Sequence, residues 1–282
     1  MTISEDEYFS IRAELLQSQE HIEAVEQKYM KFLLEATLSA APDIYEDFSQ
    51  AMALSQFWIN YPPRQRGRSP SGSSIPWGEV GEKTISANLI RTISLMESAI
   101  SFPGLPLGGD IRFATSDALV HFDMKLTGPN DNPHEVVASP HQISGDGLSW
   151  NRGMANSSVI VTGNKATMHF QPELPPFYAN GKQILLCLTY FLKVVYIVQD
   201  VGIQPLHYLE LVCVPNGLLL FDGPHYAQTQ GLFIPGKDIK GLAKKRTRVR
   251  FEPWARLAEW RCMKIEQVGD EWRSATRSQP VQ

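Results

Sequence analysis

Two long apolar runs constrain the fold of this chain more than any other feature of its sequence. One covers residues 182–198 (KQILLCLTYFLKVVYIV) and the other covers residues 206–214. Runs of this composition are typical of strands that are buried on both faces of a central sheet. Neither run supplies the roughly 18–20 consecutive apolar residues of a membrane span. We therefore expect a soluble protein with a buried sheet and no membrane partner.

The composition places the chain among ordinary globular proteins of the cytoplasm. Its 282 residues are 43% hydrophobic and 20% charged, which is enough to bury a sizeable core. The three cysteines, Cys187, Cys213 and Cys262, lack the spacing of metal ligands. The acidic N-terminus has no secretory signal pattern. Reduced thiols and a cytoplasmic location are expected.

The charge is distributed unevenly along the chain. Residues 1–50 contain eleven acidic and three basic residues, a net charge of −8. Residues 236–264 contain ten basic and three acidic residues, a net charge of +7. A dense basic segment in an acidic protein favours local binding of a polyanion. The alternative is a solvated basic helix.

The segment order predicts an N-terminal helical part followed by a larger core. Residues 4–39 have helical periodicity, the Ala41-Pro42-Asp43 tripeptide should end that helix, and a short helix should follow. We expect residues 1–55 to form a helical scaffold packed on the same domain, residues 56–268 to form the functional core, and residues 269–282 to form a frayed polar tail. Residues 218–221 read as a further strand.

The best candidate for chemistry is the stretch that ends in Asp123-Met124-Lys125. Residues 120–126 alternate as in a strand, so Asp123 and Lys125 lie on one face and the apolar residues on the other. Asp110 follows a Gly-Gly turn thirteen residues before Asp123. Two carboxylates and an ammonium at the end of a core strand suit a divalent metal and an attacked phosphate. The alternative is a structural Asp–Lys pair.

A glutamate on the next predicted helix upstream extends this candidate site. Residues 76–98 read as a helix that starts at a proline and has an apolar stripe through Ile85, Leu89 and Ile93. Glu82 lies on the same stripe, and an unpaired buried carboxylate is costly. We expect Glu82 to point toward Asp110, Asp123 and Lys125. The alternative is a hydrated first helical turn.

Two groups of arginines are candidates for contacts with nucleic acid. In the basic segment, every second residue is an arginine, so a strand would place all of these arginines on one face. On a strand that enters the major groove of DNA, such arginines can read guanine. The other group lies on a Pro/Gly/Ser-rich loop and could hold phosphates. The first group is Arg246, Arg248 and Arg250, and the second is Arg64, Arg66 and Arg68.

Several ordered blocks of sequence resemble the BglI family of type II restriction endonucleases, in the PD-(D/E)xK superfamily. The similarity runs from about residue 56 to residue 251. The blocks are FWINYPPRQRG, IPWGEVGEK, GLPLGGD, the DMK triplet with TGPND, SPHQISG, VPNGLLLF, and FIPGKD followed by KRTRVR. Such a series is far more specific than any single Asp-x-Lys triplet.

The resemblance implies an α/β protein with the PD-(D/E)xK restriction-endonuclease-like fold, a mixed β-sheet flanked by helices, with long DNA-binding loops. It implies a homodimer that hydrolyses both strands of double-stranded DNA with Mg²⁺ at an interrupted palindrome. The half-sites would be GCC and GGC, or a one-base variant of them. A cognate DNA methyltransferase would be a genetic rather than a physical partner.

The resemblance also implies roles for individual residues of this sequence. The active-site residues would be Glu82, Asp110, Asp123 and Lys125. The Mg²⁺ ligands would be Asp110, Asp123, the Met124 backbone carbonyl and Glu82. Base contacts would come from Asp131, Lys237, Arg248 and Arg250, with Asn130, Asp238, Lys240 and Arg246 beside them at the DNA and Arg64, Arg66 and Arg68 on phosphates.

One departure from the family pattern bears on specificity. An acidic base-reading residue of the family falls at Ile239 in this chain, and an isoleucine cannot accept a hydrogen bond from cytosine. We therefore expect one half-site position to be changed or relaxed, unless Asp238 substitutes. Two other functions remain open from the sequence, a catalytically silent DNA-binding protein and a non-specific repair nuclease of the same superfamily.

Overall fold

The two apolar runs form neighbouring strands at the centre of a mixed sheet. The computed structural model describes residues 3–58, 77–106, 108–126, 132–145, 159–163, 166–180, 183–197, 199–200, 203–221, 233–235 and 246–277. Side chains are described for all of these except residues 58, 77–80, 159–163, 166–169, 180 and 233–235. Within these ranges, no helix combines the length and hydropathy that crossing a membrane requires.

Helices precede the strands in the first third of the chain. The helices are α1 (Glu5–Gln17), α2 (Gln19–Ala53), α3 (Ser55–Trp58), α4 (Trp77–Met96), α5 (Gly217–Phe221) and α6 (Phe251–Leu257), with 3₁₀ helices at Pro140–Gln142 and Glu259–Arg261. The strands are β1 (Ile111–Ala114), β2 (Ala118–Leu126), β3 (Glu135–Ala138), β4 (Val159–Gly163), β5 (Ala166–Phe170), β6 (Phe177–Asn180), β7 (Gln183–Tyr196), β8 (Leu206–Val214), β9 (Phe233–Pro235), β10 (Thr247–Arg250), β11 (Cys262–Val268) and β12 (Glu271–Thr276).

Within the described residues, the main sheet has seven strands and is mixed. Its order is β1-β2-β7-β8-β11-β12, and β6 also pairs with β7. β2 and β7 run parallel, whereas β7 and β8 run antiparallel. A second sheet has the order β3-β10-β9, and β4 pairs with β5. The mixed sheet predicted for this fold class is therefore present, and the region after β2 contains strands as well as loops.

The main sheet separates two hydrophobic clusters. On β7, Leu188, Tyr190 and Leu192 belong to the cluster that contains residues of α2 and α4. Phe191, which points the other way, belongs to a cluster with Trp254 of α6 and with residues of β3 and β10. Every residue of β7 from 185 to 196 is buried. Burial on both faces explains why this strand lacks a polar side.

The long helix α2 continues through the proline that was expected to end it. Pro42 lies inside α2. The break between helices is instead at Ser18, where α1 ends and α2 begins. An interior proline removes one hydrogen bond and costs about 3 kcal/mol. Ile44 and Phe48, on the turns that follow, are 0% and 1% exposed. Burial of these side chains against the sheet offsets the local cost, so the prediction of a break at this position was wrong.

A buried ion pair ties α2 to the far side of the core. The Glu26 carboxylate accepts a hydrogen bond from Arg261 Nη2 at 2.7 Å and one from the Asn216 backbone N–H at 2.5 Å. Glu26 and Arg261 are both 0% exposed. The backbone hydrogen bond from Asn216 helps to offset the cost of desolvating this buried pair. The N-terminal helices thus share a hydrophobic core with the sheet. The predicted domain boundary at residue 55 stays a prediction.

The C-terminal segment is a strand rather than a frayed tail as far as residue 276. β12 pairs with β11 from Glu271 to Thr276. The two-residue connection between them contains Gly269 at φ +63°, the conformation that tight hairpin turns favour. Polar composition predicted fraying, but an edge strand can be polar when its backbone is paired.

The segment after the Pro215-Asn216-Gly217 turn is also different from its prediction. Residues 217–221 form the short helix α5 rather than a strand. Asn216 Oδ1 accepts a hydrogen bond from the Leu218 backbone N–H at 3.0 Å, which is the contact of a helix N-cap. An apolar run this short is ambiguous in sequence, and the preceding asparagine decides for helix.

Candidate active site

Asp110 and Asp123 lie side by side across the β1–β2 pair. In this antiparallel pair Ile111 lies opposite Phe122, so the next position outward places Asp110 beside Asp123. The Met124 backbone N–H donates a hydrogen bond to Asp110 Oδ2 at 2.8 Å. This bond fixes the Asp110 carboxylate against β2. The hairpin therefore brings together two carboxylates that are distant in the sequence.

Two glycines make this approach possible. Gly108 has φ +110°, and a Cβ there would lie 1.9 Å from His121 Nδ1. Gly109 packs on the backbone of β2, where a Cβ would lie 2.7 Å from the carbonyl of Phe122. A side chain does not fit at either position. Asp110 can therefore lie this close to β2 only because both residues before it are glycines.

Gly109→Ala is expected to lower the free energy of unfolding by about 1–3 kcal/mol, the usual cost of overpacking. The added methyl would meet the backbone of β2, which cannot move aside as a flexible side chain can. Denaturant unfolding measures the change. Gly104→Ala is the matched control, because a Cβ at Gly104 has no atom within 4 Å. Equal stability of the two variants would contradict the steric argument.

His121 lies inside the protein, against the Gly-Gly turn. It is 1% exposed, and its Nε2 is 3.2 Å from the Tyr178 hydroxyl. Burial lowers the pKa of His121 to about 4, so this imidazole is neutral near pH 7. Its position under Gly108 makes it a support for the turn.

Asp123 is a buried carboxylate paired with Lys125. Asp123 is 3% exposed, and the Lys125 ammonium forms an ion pair with its Oδ2. Burial raises the pKa of Asp123 to about 6, the positive charge of Lys125 opposes that rise, and the nearby Asp110 adds to it. The strand alternation predicted for residues 120–126 is present. Phe122 and Met124 belong to the hydrophobic cluster that contains residues of α2 and α4, on the face of β2 opposite to Asp123.

Gln142 is a component of this site that the sequence did not single out. Its side-chain amide lies in the 3₁₀ helix Pro140–Gln142, and Nε2 donates a hydrogen bond to Asp123 Oδ1 at 2.6 Å. Lys125 Nζ lies 3.4 Å from Gln142 Oε1. The only signal in the sequence was its place in the SPHQISG block, which reads as turn residues.

Glu82 lies on α4, which packs against β2. The neighbouring Gly81 faces β2 so closely that a Cβ would lie 2.3 Å from Leu126 Cδ2. Glu82 itself is half-buried. The described residues contain no group of three or more His, Cys, Asp or Glu side chains placed to hold a metal. Glu82 lies one turn before the buried Ile85 on this helix, and its orientation toward Asp110, Asp123 and Lys125 and its role as a ligand stay predictions.

The pair of aspartates fits a hard divalent cation. For the buried Asp123 Oδ2, no donor among the described residues has hydrogen-bond geometry, although Lys125 pairs with this atom. Two carboxylates on neighbouring strands repel each other, and a cation between them would remove the repulsion. Oxygen ligands of this kind suit Mg²⁺, which binds through one or two carboxylates and completes its shell with water and substrate oxygens.

The arginines of β10 follow the predicted alternation. Thr247 and Val249 are 0% exposed, whereas Arg248 and Arg250 lie on the other face of the strand. Arg248 forms an ion pair with Glu135 on the adjacent β3. β10 is the central strand of its small sheet, so its arginines are not the protective charges of a sheet edge.

A small cavity joins the end of β2 to this arginine. It has a volume of about 170 Å³, and its lining includes Lys125, Glu135, Lys193 and Arg248. Lys193 lies beside Lys125 in the β2–β7 register and donates a hydrogen bond to the Glu135 carbonyl at 3.0 Å. The lysine of the candidate active site and the arginine of the candidate DNA-reading strand therefore face one space.

Several predicted DNA-binding residues lie outside the described part of the chain. Arg246 is described and half-buried, next to β10. The residues that are not described are Arg64, Arg66, Arg68, Asn130, Asp131, Lys237, Asp238, Lys240 and, at the departure from the family pattern, Ile239.

A mixed sheet flanked by helices, with two aspartates and a lysine on neighbouring strands, defines the class of restriction-endonuclease-like proteins. Within that class the chain belongs to the BglI family, since the family model for restriction endonuclease BglI matches residues 4–265. The type II restriction enzyme BglI of Bacillus subtilis is 34% identical over 255 residues, which cover 80% of this chain and 85% of the relative.

Solved structures of two restriction endonucleases are among those that resemble this chain. The crystal structure of BglI bound to its DNA recognition sequence matches with a TM-score of 0.79 and 32% identity, over 92% of this chain and 95% of that one. The tetrameric restriction endonuclease SfiI bound to cognate DNA matches with a TM-score of 0.58 and 12% identity, over 91% and 94% of the two chains. The second likeness is one of fold alone.

These comparisons confirm the predicted family, the fold class and the class of enzyme, a type II restriction endonuclease, which is a phosphodiester hydrolase. They also extend the resemblance. The similarity noted in the sequence began near residue 56, whereas the family model begins at residue 4. The N-terminal helices therefore lie within the length that the family model covers.

Proposed function

We propose that this enzyme cuts both strands of double-stranded DNA at an interrupted palindrome by Mg²⁺-dependent hydrolysis. The half-sites would be GCC and GGC or a one-base variant of them. The observation that carries the proposal is the Asp110–Asp123 pair, with Lys125 two residues further on the same strand face. A purely structural Asp–Lys pair would not need the second carboxylate beside it.

In the proposed mechanism, Asp110, Asp123 and the Met124 backbone carbonyl would hold Mg²⁺. The bound ion would supply positive charge to the attacked phosphate and make water a better nucleophile. Lys125 orients the attacking water or helps to remove its proton, and its ammonium offsets the negative charge that develops on the phosphate oxygens. Glu82 would act from α4, either as a ligand of a second metal ion or through water.

The proposed DNA contacts are of two kinds, contacts that read bases and contacts that hold phosphates. Arg248 and Arg250 would read bases in the major groove together with Asp131 and Lys237, while Asn130, Asp238, Lys240 and Arg246 lie beside them at the DNA. Arg64, Arg66 and Arg68 would hold phosphates. Arg248 and Lys125 line the same cavity, which supports a DNA-binding surface that extends from the base-reading strand to the catalytic lysine.

A digest of plasmid DNA of known sequence tests the proposal directly. Purified enzyme with Mg²⁺ should yield discrete fragments, and none should form in EDTA. Mapping the fragment ends gives the recognition sequence and the overhang. A ladder of fragments would indicate a non-specific repair nuclease instead, and intact plasmid with retained binding would indicate a catalytically silent DNA-binding protein.

The isoleucine at position 239 is expected to change or relax one position of the half-site. Loss of one carboxylate contact to cytosine removes about 1–3 kcal/mol of discrimination at that base. Cleavage of a library of interrupted palindromes, sequenced at the cut ends, measures the preference at each position. Strict preference for GCC and GGC at every position would contradict the expectation and favour Asp238 as a substitute.

Three further predictions from the sequence belong to this proposal. The enzyme acts as a homodimer, with one active site for each DNA strand, and its genetic partner is a DNA methyltransferase that protects the same site. Its location is the cytoplasm. Light scattering of the enzyme with and without its mapped DNA site tests the first of these.

A further inference from the structure

One buried amide contacts two of the charged side chains of the proposed active site, Asp123 and Lys125. Gln142 is 9% exposed. Its Nε2 donates a hydrogen bond to Asp123 Oδ1 at 2.6 Å, and its Oε1 accepts one from Lys125 Nζ at 3.4 Å. The carboxylate and the ammonium thus share a neutral partner in addition to their ion pair.

The local backbone determines which way this amide points. The Ser139 backbone N–H donates a hydrogen bond to Gln142 Oε1 at 2.9 Å. A backbone N–H can only donate, so the atom that faces it must be the oxygen. The amide nitrogen is therefore the atom directed at Asp123, and the contact to Asp123 Oδ1 is a donated hydrogen bond rather than a repulsion between two acceptors.

This orientation distinguishes the two oxygens of Asp123. Oδ1 is occupied by Gln142, while Oδ2 accepts no hydrogen bond with good geometry from the described residues and pairs with Lys125. We propose that Gln142 is a positioning residue for cleavage. It presents Asp123 Oδ2 to the divalent cation and holds Lys125 Nζ beside that oxygen. This inference rests on the proposed function of Asp123 and Lys125.

A purely structural role for Gln142 would require only a side-chain acceptor for the Ser139 backbone N–H, and not a donor to Asp123. The contact with Ser139 resembles half of a capping box, in which glutamate serves as well as glutamine. Gln142→Glu keeps an acceptor for Ser139 and for Lys125, but it replaces the donor that faces Asp123 by a second carboxylate oxygen. This variant therefore separates support of the 3₁₀ helix from positioning of Asp123.

Single-turnover cleavage of a DNA fragment with a mapped site tests the inference. Gln142→Glu and Gln142→Met are each expected to cleave about 10–100-fold more slowly, the usual loss when a partner of a metal ligand is removed. Their affinity for the same DNA in Ca²⁺ should stay within about threefold of wild type, since the site's DNA-reading residues are unchanged. Gln183→Met is the matched control, because Gln183 hydrogen-bonds the Ser116 carbonyl away from the carboxylates.

Ca²⁺ binding without DNA gives a second readout that does not depend on activity. Calorimetric titration should show about tenfold weaker Ca²⁺ binding by Gln142→Met than by wild type or Gln183→Met. Melting temperatures of all variants establish that they are folded. Wild-type cleavage rates in Gln142→Glu would overturn the inference, because that variant lacks the proposed donor.

The two proposals fail in different ways. A wild-type enzyme that cuts no DNA would overturn the proposed function. The Ca²⁺ titration would still decide the role of Gln142, because equal affinities of wild type and Gln142→Met would overturn it and a tenfold difference would support it.

Discussion

Asp123→Asn is expected to reduce Mg²⁺-dependent cleavage by at least about 1,000-fold while leaving the protein folded. The substitution keeps the shape of the side chain and removes the charge that, in the proposed mechanism, binds the metal beside Asp110. A metal ion contributes several kcal/mol to stabilising charge in such transition states, which corresponds to a rate effect of this size. Single-turnover cleavage of a fragment with a mapped site measures the loss.

The same variant is expected to be at least as stable as wild type in EDTA at pH 7.5. Burial raises the pKa of Asp123 from 3.8 to about 6, so the folded protein binds this proton more tightly than the unfolded chain does. The stability linked to the proton is complete below about pH 4 and is lost as the pH rises through about 6. An asparagine does not titrate, and it also removes the repulsion between Asp123 and Asp110.

Binding and a matched substitution complete the test. In Ca²⁺, Asp123→Asn should still shift the mapped fragment in a gel, because the DNA-reading residues are intact. Asp43→Asn is the control, since Asp43 is 58% exposed in a surface ion pair with Arg91, an interaction that contributes little. Rapid Mg²⁺-dependent cutting by Asp123→Asn would refute the assignment of Asp123 as a metal-binding residue.

The sequence predicted the parts of the fold that depend on periodicity. Continuous apolar composition identified β7 and β8, because strands buried on both faces have no polar side. Alternation identified the β2 face that contains Asp123 and Lys125, and the alternating arginines identified β10. These patterns are local consequences of strand geometry, which is why no knowledge of the partner strands was needed.

The features that were missed depend on contacts between distant segments. Pro42 remains inside α2 because side chains on the following turns are buried against the sheet, and that burial is invisible in the helix's own sequence. The same holds for Glu26, whose partner Arg261 is more than 200 residues away. Gln142 lies in a segment that reads as turn residues, so only the packing of that turn on β2 shows that it contacts Asp123.

Arg248→Ala is expected to weaken binding to the mapped site by about 5–150-fold and to relax preference at one base of each half-site. A bidentate arginine contact to guanine contributes about 1–3 kcal/mol of discrimination. Arg248 is suited to that contact because its strand neighbours are buried and because Glu135 pairs with its guanidinium, which limits the rotamers it must lose on binding. Affinity for the mapped site and for single-base variants of it, in Ca²⁺, measures the effect.

Arg256→Ala is the matched control for the loss of one positive charge. Arg256 is on α6 and 70% exposed, in an i,i+4 pair with Glu252. If Arg248 reads a base, its removal should lower affinity for the mapped site far more than for unrelated DNA, whereas Arg256→Ala should change both slightly. A uniform loss on all sequences, with a salt dependence reduced by about one charge, would instead make Arg248 a phosphate contact.

Arg248→Lys sharpens the distinction further. Lysine keeps the charge beside Glu135 but lacks the planar fork that matches two acceptors of guanine. A base-reading role therefore predicts that Arg248→Lys loses most of the discrimination lost by Arg248→Ala, while binding to unrelated DNA stays near wild type. Full discrimination in the lysine variant would contradict bidentate reading, because a point charge next to the cavity that contains Lys125 and Lys193 can attract phosphate but cannot select a base.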